Sequence, residues 1–451
     1  MYKTVTNNES FSSLKSYQRE AVGLLSIGTF LEYFDLMIYV HMAVLLDELF
    51  FPKTDPHMAA LIQAFAFCAT FIFRPFGALI FGFIGDKVGR KATVVITTSM
   101  MAISCVVMAT VPTYNQIGIT ASWIVTICRI SQGISSVGEI IGAELYLTEI
   151  IKPPLQYPIV CFIAVTSIIG TVVALFVVNA VLTCGFEWRV AFWIGACIAL
   201  VGAVARTTLR ETPEFADAKC LMKKRYEQVN LIPQTIQDEL IVNEKVNQKT
   251  VFYLFIMNCA WPICFYFGYM HCANILKNSF SYNAQEIIHQ NFLVSLIQLV
   301  TVLGLTWLSY KVYPLVIIKV KLLIFFIFIL FCPYLLNHIT TPFHLFLIQS
   351  FVISFGGVAR PAMPILFKHL PIFKRFTYSS LTYALSRALM YIVTSFGLIY
   401  LTKYFGSYGL LIIMIPINTV SYLGIRHFEM LEKQSGNFPQ KIFLVREAIA
   451  P

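Results

Sequence analysis

Long apolar stretches alternate with short polar ones from residue 21 to residue 428, and each is long enough for a ~30 Å hydrocarbon core. The pattern predicts twelve spans, at about 21–45, 58–84, 92–112, 121–146, 158–183, 189–209, 250–274, 288–310, 314–336, 343–366, 377–402 and 406–427. Lipid offers backbone groups no hydrogen-bond partners, so the spans are predicted to be helices. The longest polar gap, at about 210–249, divides them six and six. The expected organisation is therefore a polar segment 1–20, a six-helix bundle 21–209, a charged loop 210–249, a second bundle 250–428 and a tail 429–451. The fold class is an all-α polytopic membrane protein.

Composition agrees, with 58% hydrophobic and only 12% charged residues, against roughly a quarter charged in soluble domains. The formal charge of +10 is spread over many loops, so it points to no nucleic-acid partner. Its distribution predicts orientation instead. With residue 1 in the cytoplasm, only Lys53, Arg189, Lys277 and Lys403 fall on the far side, which places both termini and the 210–249 loop inside. Residues 1–20 lack the apolar core and cleavage site of a signal peptide, so the first span is expected to serve as an uncleaved insertion signal. The eleven cysteines contain no CxxC and read as buried apolar residues.

The candidate chemistry lies where charge interrupts the spans. "GTFLEYFDLMIYV" (28–40) places Glu32, Asp35 and Tyr39 on one helical stripe near the bilayer midplane. A carboxylate there costs at least ~2.5–3.5 kcal/mol and should face a partner or a watery cavity. Arg74 and Pro75 interrupt span 2, which ends in Gly82, Asp86, Lys87, Gly89, Arg90 and Lys91. The glycines allow close helix approach. Asp86 is expected to accept from a facing helix N-terminus and Arg90 to bind carbonyls or acids, forming a clasp that opens and closes. Topogenic charge would by itself account for Lys87, Arg90 and Lys91, but not for Asp86 or the glycine spacing.

Span 4, "RISQGISSVGEIIGAELYLTE", sets Arg129, Gln132 and Glu139 near one stripe, with Arg129 ~6 Å to one side of the centre and Glu139 ~9 Å to the other. Matching depths predicts Arg129 with Asp35, and Glu139 with Arg74. Glu144, some 140° around the helix from Glu139, is expected at the solvated interface. In the second half, Trp261, Tyr266 and Tyr269 cluster around Pro262, where aromatic faces could hold a quaternary ammonium. Arg360 and Arg387 have no acid in their own half and would take solvent, carbonyls or an anion such as a substrate carboxylate. No phosphate-binding loop, HExxH or Ser/His/Asp spacing is present in the sequence, so an enzyme is not expected.

Several of these segments together resemble a known pattern. "GDKVGRK" and "RISQGISSVGE" are similar to the span 2–3 loop and span-4 motifs of the major facilitator superfamily. "EYFDLMIY" with "ELFFP", "FRPFG", "EWRVAFWIG" and "LRETPEF" resemble, more narrowly, its metabolite:proton symporter family, which includes proline/betaine transporters. The resemblance covers residues 20–215; beyond 250 it rests on span number and placement. It implies two six-helix bundles, alternating access and proton-driven uptake across the bacterial inner membrane. The functional positions it implies are Glu32, Asp35, Arg74, Asp86, Arg90, Arg129 and Glu139. The chain departs from the pattern at Val137, at Tyr310 and Tyr313 in the charged turn after span 8, and in a tail too short for the coiled coil of osmosensing relatives.

The expected protein is thus a symporter of a small polar metabolite and protons, monomeric, embedded in lipid, with no cofactor or metal. Its substrate is expected to be a zwitterion such as proline or glycine betaine; a di- or tricarboxylate such as 2-oxoglutarate or citrate is the alternative. A transporter-like sensor that binds without transport is the alternative of another class.

Overall fold

A computed structural model describes residues 14–50, 70–185, 187–229, 245–357 and 359–439. The expectations placed on 1–13, 51–69, 230–244 and 440–451, including the first part of span 2 and Lys53, lie outside the described residues. Ten of the described helices are long and apolar enough to cross a membrane. In chain order the helices of the first half are α1 (Ser16–Phe50), α2 (Arg74–Lys87), α3 (Arg90–Thr110), α4 (Ile119–Ile150), α5 (Gln156–Cys184) and α6 (Arg189–Arg206). A surface helix, Pro213–Val229, follows. The second half holds α7 (Gln248–Phe280, with a π-helical turn at Tyr266–His271), α8 (Ala284–Lys311) and α9 (Pro314–Asn337). It continues with α10 (Pro342–Phe355), α11 (Arg375–Phe405) and α12 (Gly409–Gln434).

Local chemistry sets several of these boundaries. Asn283 and Glu286 form a reciprocal capping box at the start of α8. Pro314 and Pro342 open α9 and α10, where their missing N–H groups cost nothing. Beyond Phe355, α10 breaks at Gly356 and Gly357 before a 3-10 turn (Arg360–Ala362) and a short helix (Met363–Lys368). Non-helical backbone at membrane depth is tolerated only inside protein or along a cavity, and this break lines one.

The two halves meet along two seams, α5 against α8 and α2 against α11. At the second seam a Cβ on Gly82 would lie 2.7 Å from the Thr377 Cα. Gly82→Val is therefore expected to lose ~1–3 kcal/mol through overpacking, read as a lower thermal midpoint of the purified protein. An unchanged midpoint would show that α2 and α11 do not meet this closely.

Candidate functional site

Glu32, Asp35 and Glu139 of the first half each sit in a buried ion pair. Arg74 Nη2 lies 3.2 Å from Glu32 Oε1. Arg129 Nη1 donates to Asp35 Oδ2 at 2.8 Å and to Gln132 Oε1 at 2.8 Å, while Gln132 Nε2 donates to Asp35 Oδ1 at 2.9 Å. The Tyr39 ring stacks 4.0 Å from the Arg129 guanidinium, so this stripe from α1 and α4 comes together as one cluster. Glu139 accepts from Thr98 at 2.6 Å and Thr97 at 3.2 Å, and pairs with Arg206.

Depth matching was correct for Arg129 and Asp35 but not for Glu139 and Arg74. Depth fixes the level along an axis, not the direction around it. Glu139 points toward α3 and α6, where Arg206 reaches in from the end of its helix while also donating to the Leu24 and Leu25 carbonyls at 2.9 Å each. Arg74 faces α1 and takes Glu32.

The pairs differ in how completely they are satisfied. Both oxygens of Asp35 and both of Glu139 have partners. Glu32 Oε2 is the one carboxylate oxygen of the three that is buried with none; Arg74 Nε, Arg129 Nε and the Tyr383 hydroxyl are likewise buried without a partner among the described residues. A half-satisfied buried pair is costly, and such costs collect where a proton or ligand is exchanged.

A central cavity lies between the halves. Its walls carry Glu144 from α4, Lys321 from α9, Arg360 beyond the α10 break and Arg387 from α11, together with Tyr33, Trp261, Phe265, Tyr269 and Tyr383. Arg360 Nη2 donates to the Tyr33 hydroxyl at 3.4 Å, and the Arg387 guanidinium rests 3.3 Å from the Tyr383 ring centre. Lys321 donates to the Gly357 carbonyl. Beyond the cavity, Phe71, Tyr391 and Phe265 pack ring on ring, with centroids 4.2 Å and 6.1 Å apart.

Trp261 and Tyr269 line the cavity with Phe265 as one helical stripe; Tyr266, one position off that stripe, does not line it. Glu144 also departs from expectation. It is 4% exposed and faces the cavity rather than an interface. The reason is that α4 is surrounded: every residue from Ser135 to Ile150 is buried, so the face away from Glu139 still looks inward.

At the end of the bundle carrying residues 85–90 the halves are clasped. Asp86 accepts from the backbone N–H groups of Phe376 (3.0 Å) and Thr377 (2.9 Å) at the start of α11, where the helix dipole favours an anion. Arg90, fully buried, donates to Asp86 at 3.2 Å, Glu149 at 3.1 Å and the Ile372 carbonyl at 2.8 Å. Arg375 joins Glu149 (3.3 Å) to Glu214 (3.0 Å). Gly89, at φ +152°, turns the chain toward Arg90, and a Cβ there would collide with the Glu211 carboxylate. Lys87 points outward over the Phe83 ring, and Lys91 meets Glu211 through its backbone N–H.

The second half holds a different contact where its charged turn departs from the pattern. The Tyr313 hydroxyl donates to Glu432 Oε2 at 2.6 Å, and His369 Nε2 lies 2.7 Å from Glu432 Oε1. Burial, with the adjacent carboxylate, pushes the Tyr313 phenol well above its usual range, so it remains a donor.

Sequence reading missed Arg206, Glu149 and Lys321. Lys321 sits seven residues into α9, ~10 Å from its start. That depth was the available signal.

The Major Facilitator Superfamily profile matches residues 25–395, and the chain belongs to that superfamily of membrane transporters. It has the superfamily's architecture of twelve helices in two bundles. The chain is 33% identical over 204 residues to the proline/betaine transporter of Escherichia coli K12, covering 44% of this chain and 41% of the relative. It is 34% identical over 220 residues to the inner membrane metabolite transport protein YhjE of the same strain, covering 47% and 50%. These matches span half or less of the relatives' length. Among solved structures, the proton:xylose symporter XylE has a TM-score of 0.71 at 15% identity, covering 94% of this chain and 97% of that one. At that identity the likeness shows the fold.

Proposed function

We propose that the protein is a proton-coupled symporter that imports a small polar, carboxylate-bearing metabolite by alternating access. The carrying observation is Glu32, whose Oε2 is buried without a partner in its pair with Arg74, whereas both oxygens of Asp35 and of Glu139 are taken, and whose neighbours Tyr33 and Tyr383 line the cavity. Protonating Glu32 would free Arg74 and lower the cost of rearranging the halves; substrate held by Arg360 and Arg387 would complete the cycle. Binding near the midplane between two rocking repeats suits this arrangement. The clasp at Asp86 and Arg90 would open and close one side; the positive-inside distribution supports reading that side, with both termini, as the cytoplasmic face of a bacterial inner membrane. Asp35, Arg129, Gln132 and Tyr39 would hold α1 against α4, and Glu139 with Arg206 would hold α4 against α6. The working unit is a monomer.

The names of the relatives support a zwitterion such as proline or glycine betaine, and Glu144 with the aromatic wall offers its cation a place. The excess of cavity cations supports a di- or tricarboxylate. Uptake into proteoliposomes with an imposed inward proton gradient, using labelled proline, glycine betaine, 2-oxoglutarate and citrate, tests the reading. Accumulation of one of them that a protonophore abolishes is expected. Binding of a substrate with no accumulation would replace the symporter with a sensor.

A further inference from the structure

The charges of the two halves balance differently. In the first half Glu32, Asp35 and Glu139 each meet an arginine, so those three pairs add no net charge. The described cavity wall carries three cations, Lys321, Arg360 and Arg387, and a single carboxylate, Glu144. That leaves two surplus positive charges on the wall of a cavity between the halves, where uncompensated charge is costly. A zwitterion can span a cation and Glu144 but leaves the surplus unchanged. A dianion removes it.

Lys321 is the residue that makes this difference. Its side chain is buried at 7% exposure, with no acid paired to it among the described residues. One of its donors is on the Gly357 carbonyl at the α10 break, and the ammonium otherwise faces the cavity. Broken helices with freed carbonyls are where repeat-built transporters hold charged ligands. Arg360 lies three residues past that carbonyl, on the other side of the same break. Arg387 stands on α11, so cations from three separate helices converge on one space.

We propose that Lys321, with Arg360 and Arg387, forms an anion subsite that makes this cavity select a dianionic small metabolite, a dicarboxylate, over a zwitterion. The proposal rests on reading this cavity as the substrate site. The surplus charge supplies the selectivity: each of two carboxylates takes charge-assisted hydrogen bonds, and Lys321 provides for the second.

The test is equilibrium binding to the purified full-length protein at neutral pH with no gradient, followed through Trp261 fluorescence and thermal shift. The probes are succinate, 2-oxoglutarate, monomethyl succinate, glycine betaine and proline. A dianion is expected to bind at least ~10-fold more tightly than monomethyl succinate or either zwitterion. Lys321→Met is expected to weaken the dianion by roughly 10- to 100-fold while leaving monomethyl succinate within about twofold. Lys321→Arg, which keeps the cation, should keep the preference and shows whether loss in the methionine variant reflects folding.

Tighter binding of betaine or proline, equal losses for dianion and monoester in the Lys321→Met protein, or no dianion binding at millimolar concentration would each overturn the proposal. Dianion binding without proton-driven accumulation would instead sink the symport reading and leave the subsite standing.

Discussion

Glu32→Gln is expected to abolish accumulation driven by a proton gradient while leaving solute exchange between vesicle and medium at equal pH. Glutamine resembles the protonated acid, so Arg74 is released permanently and the halves can still rearrange, but no proton travels with the solute. At one proton per solute a gradient of one pH unit supports about tenfold accumulation, because each unit is worth ~1.4 kcal/mol. The variant should stop at simple equilibration. Asp35→Asn is the contrasting case: Asp35 is fully hydrogen-bonded to Arg129 and Gln132, so its loss strands a buried arginine and should appear as instability of ~3–5 kcal/mol. Normal gradient-driven accumulation by Glu32→Gln would move the coupling to another acid.

Arg90→Ala is expected to open the clasp. It removes a fully buried guanidinium that bridges Asp86, Glu149 and the Ile372 carbonyl, and leaves Glu149 with Arg375 and the Thr212 hydroxyl. Asp86 and Glu149 lie in Arg90's own half, so the part lost from the closed form alone is the charge-assisted bond to the Ile372 carbonyl, ~1.5–3 kcal/mol. The Phe376 and Thr377 amides, which donate to Asp86 in that form, report on it directly. Their hydrogen exchange should accelerate roughly 10- to 100-fold if closure is lost by that amount. Exchange unchanged from the unsubstituted protein would mean that Arg90 anchors its own half and does not hold the two together.

Much of this arrangement was legible because hydropathy and charge are read one residue at a time. Spans appear as apolar runs, and a carboxylate in hydrocarbon announces itself, as Glu32, Asp35 and Glu139 did. The Asp86–Arg90 clasp was legible because glycine spacing, an acid and a base share one short segment. Partner choice was harder. It depends on rotation about helix axes, which a single sequence does not fix; hence Glu139 was assigned to Arg74 when Arg206 fills that role.

Burial on all sides was hidden as well. Glu144 is a carboxylate near a span end, which imitates an interface, and only the packing of its neighbours makes it cavity wall. Lys321 was hidden by the opposite effect, since lysines near a span end usually serve topology. The Tyr313–Glu432–His369 contact joins three distant segments, so no local pattern could have shown it. The departure at Tyr313 marked the place without showing what fills it.

The central claim is that a proton crosses with the solute, carried through Glu32. It is tested most directly by vesicles with a pH indicator trapped inside and no imposed gradient. When a binding-competent solute is added outside, the account predicts internal acidification that rises with solute influx and is absent in the Glu32→Gln protein. Influx of labelled solute with no change in internal pH would contradict it.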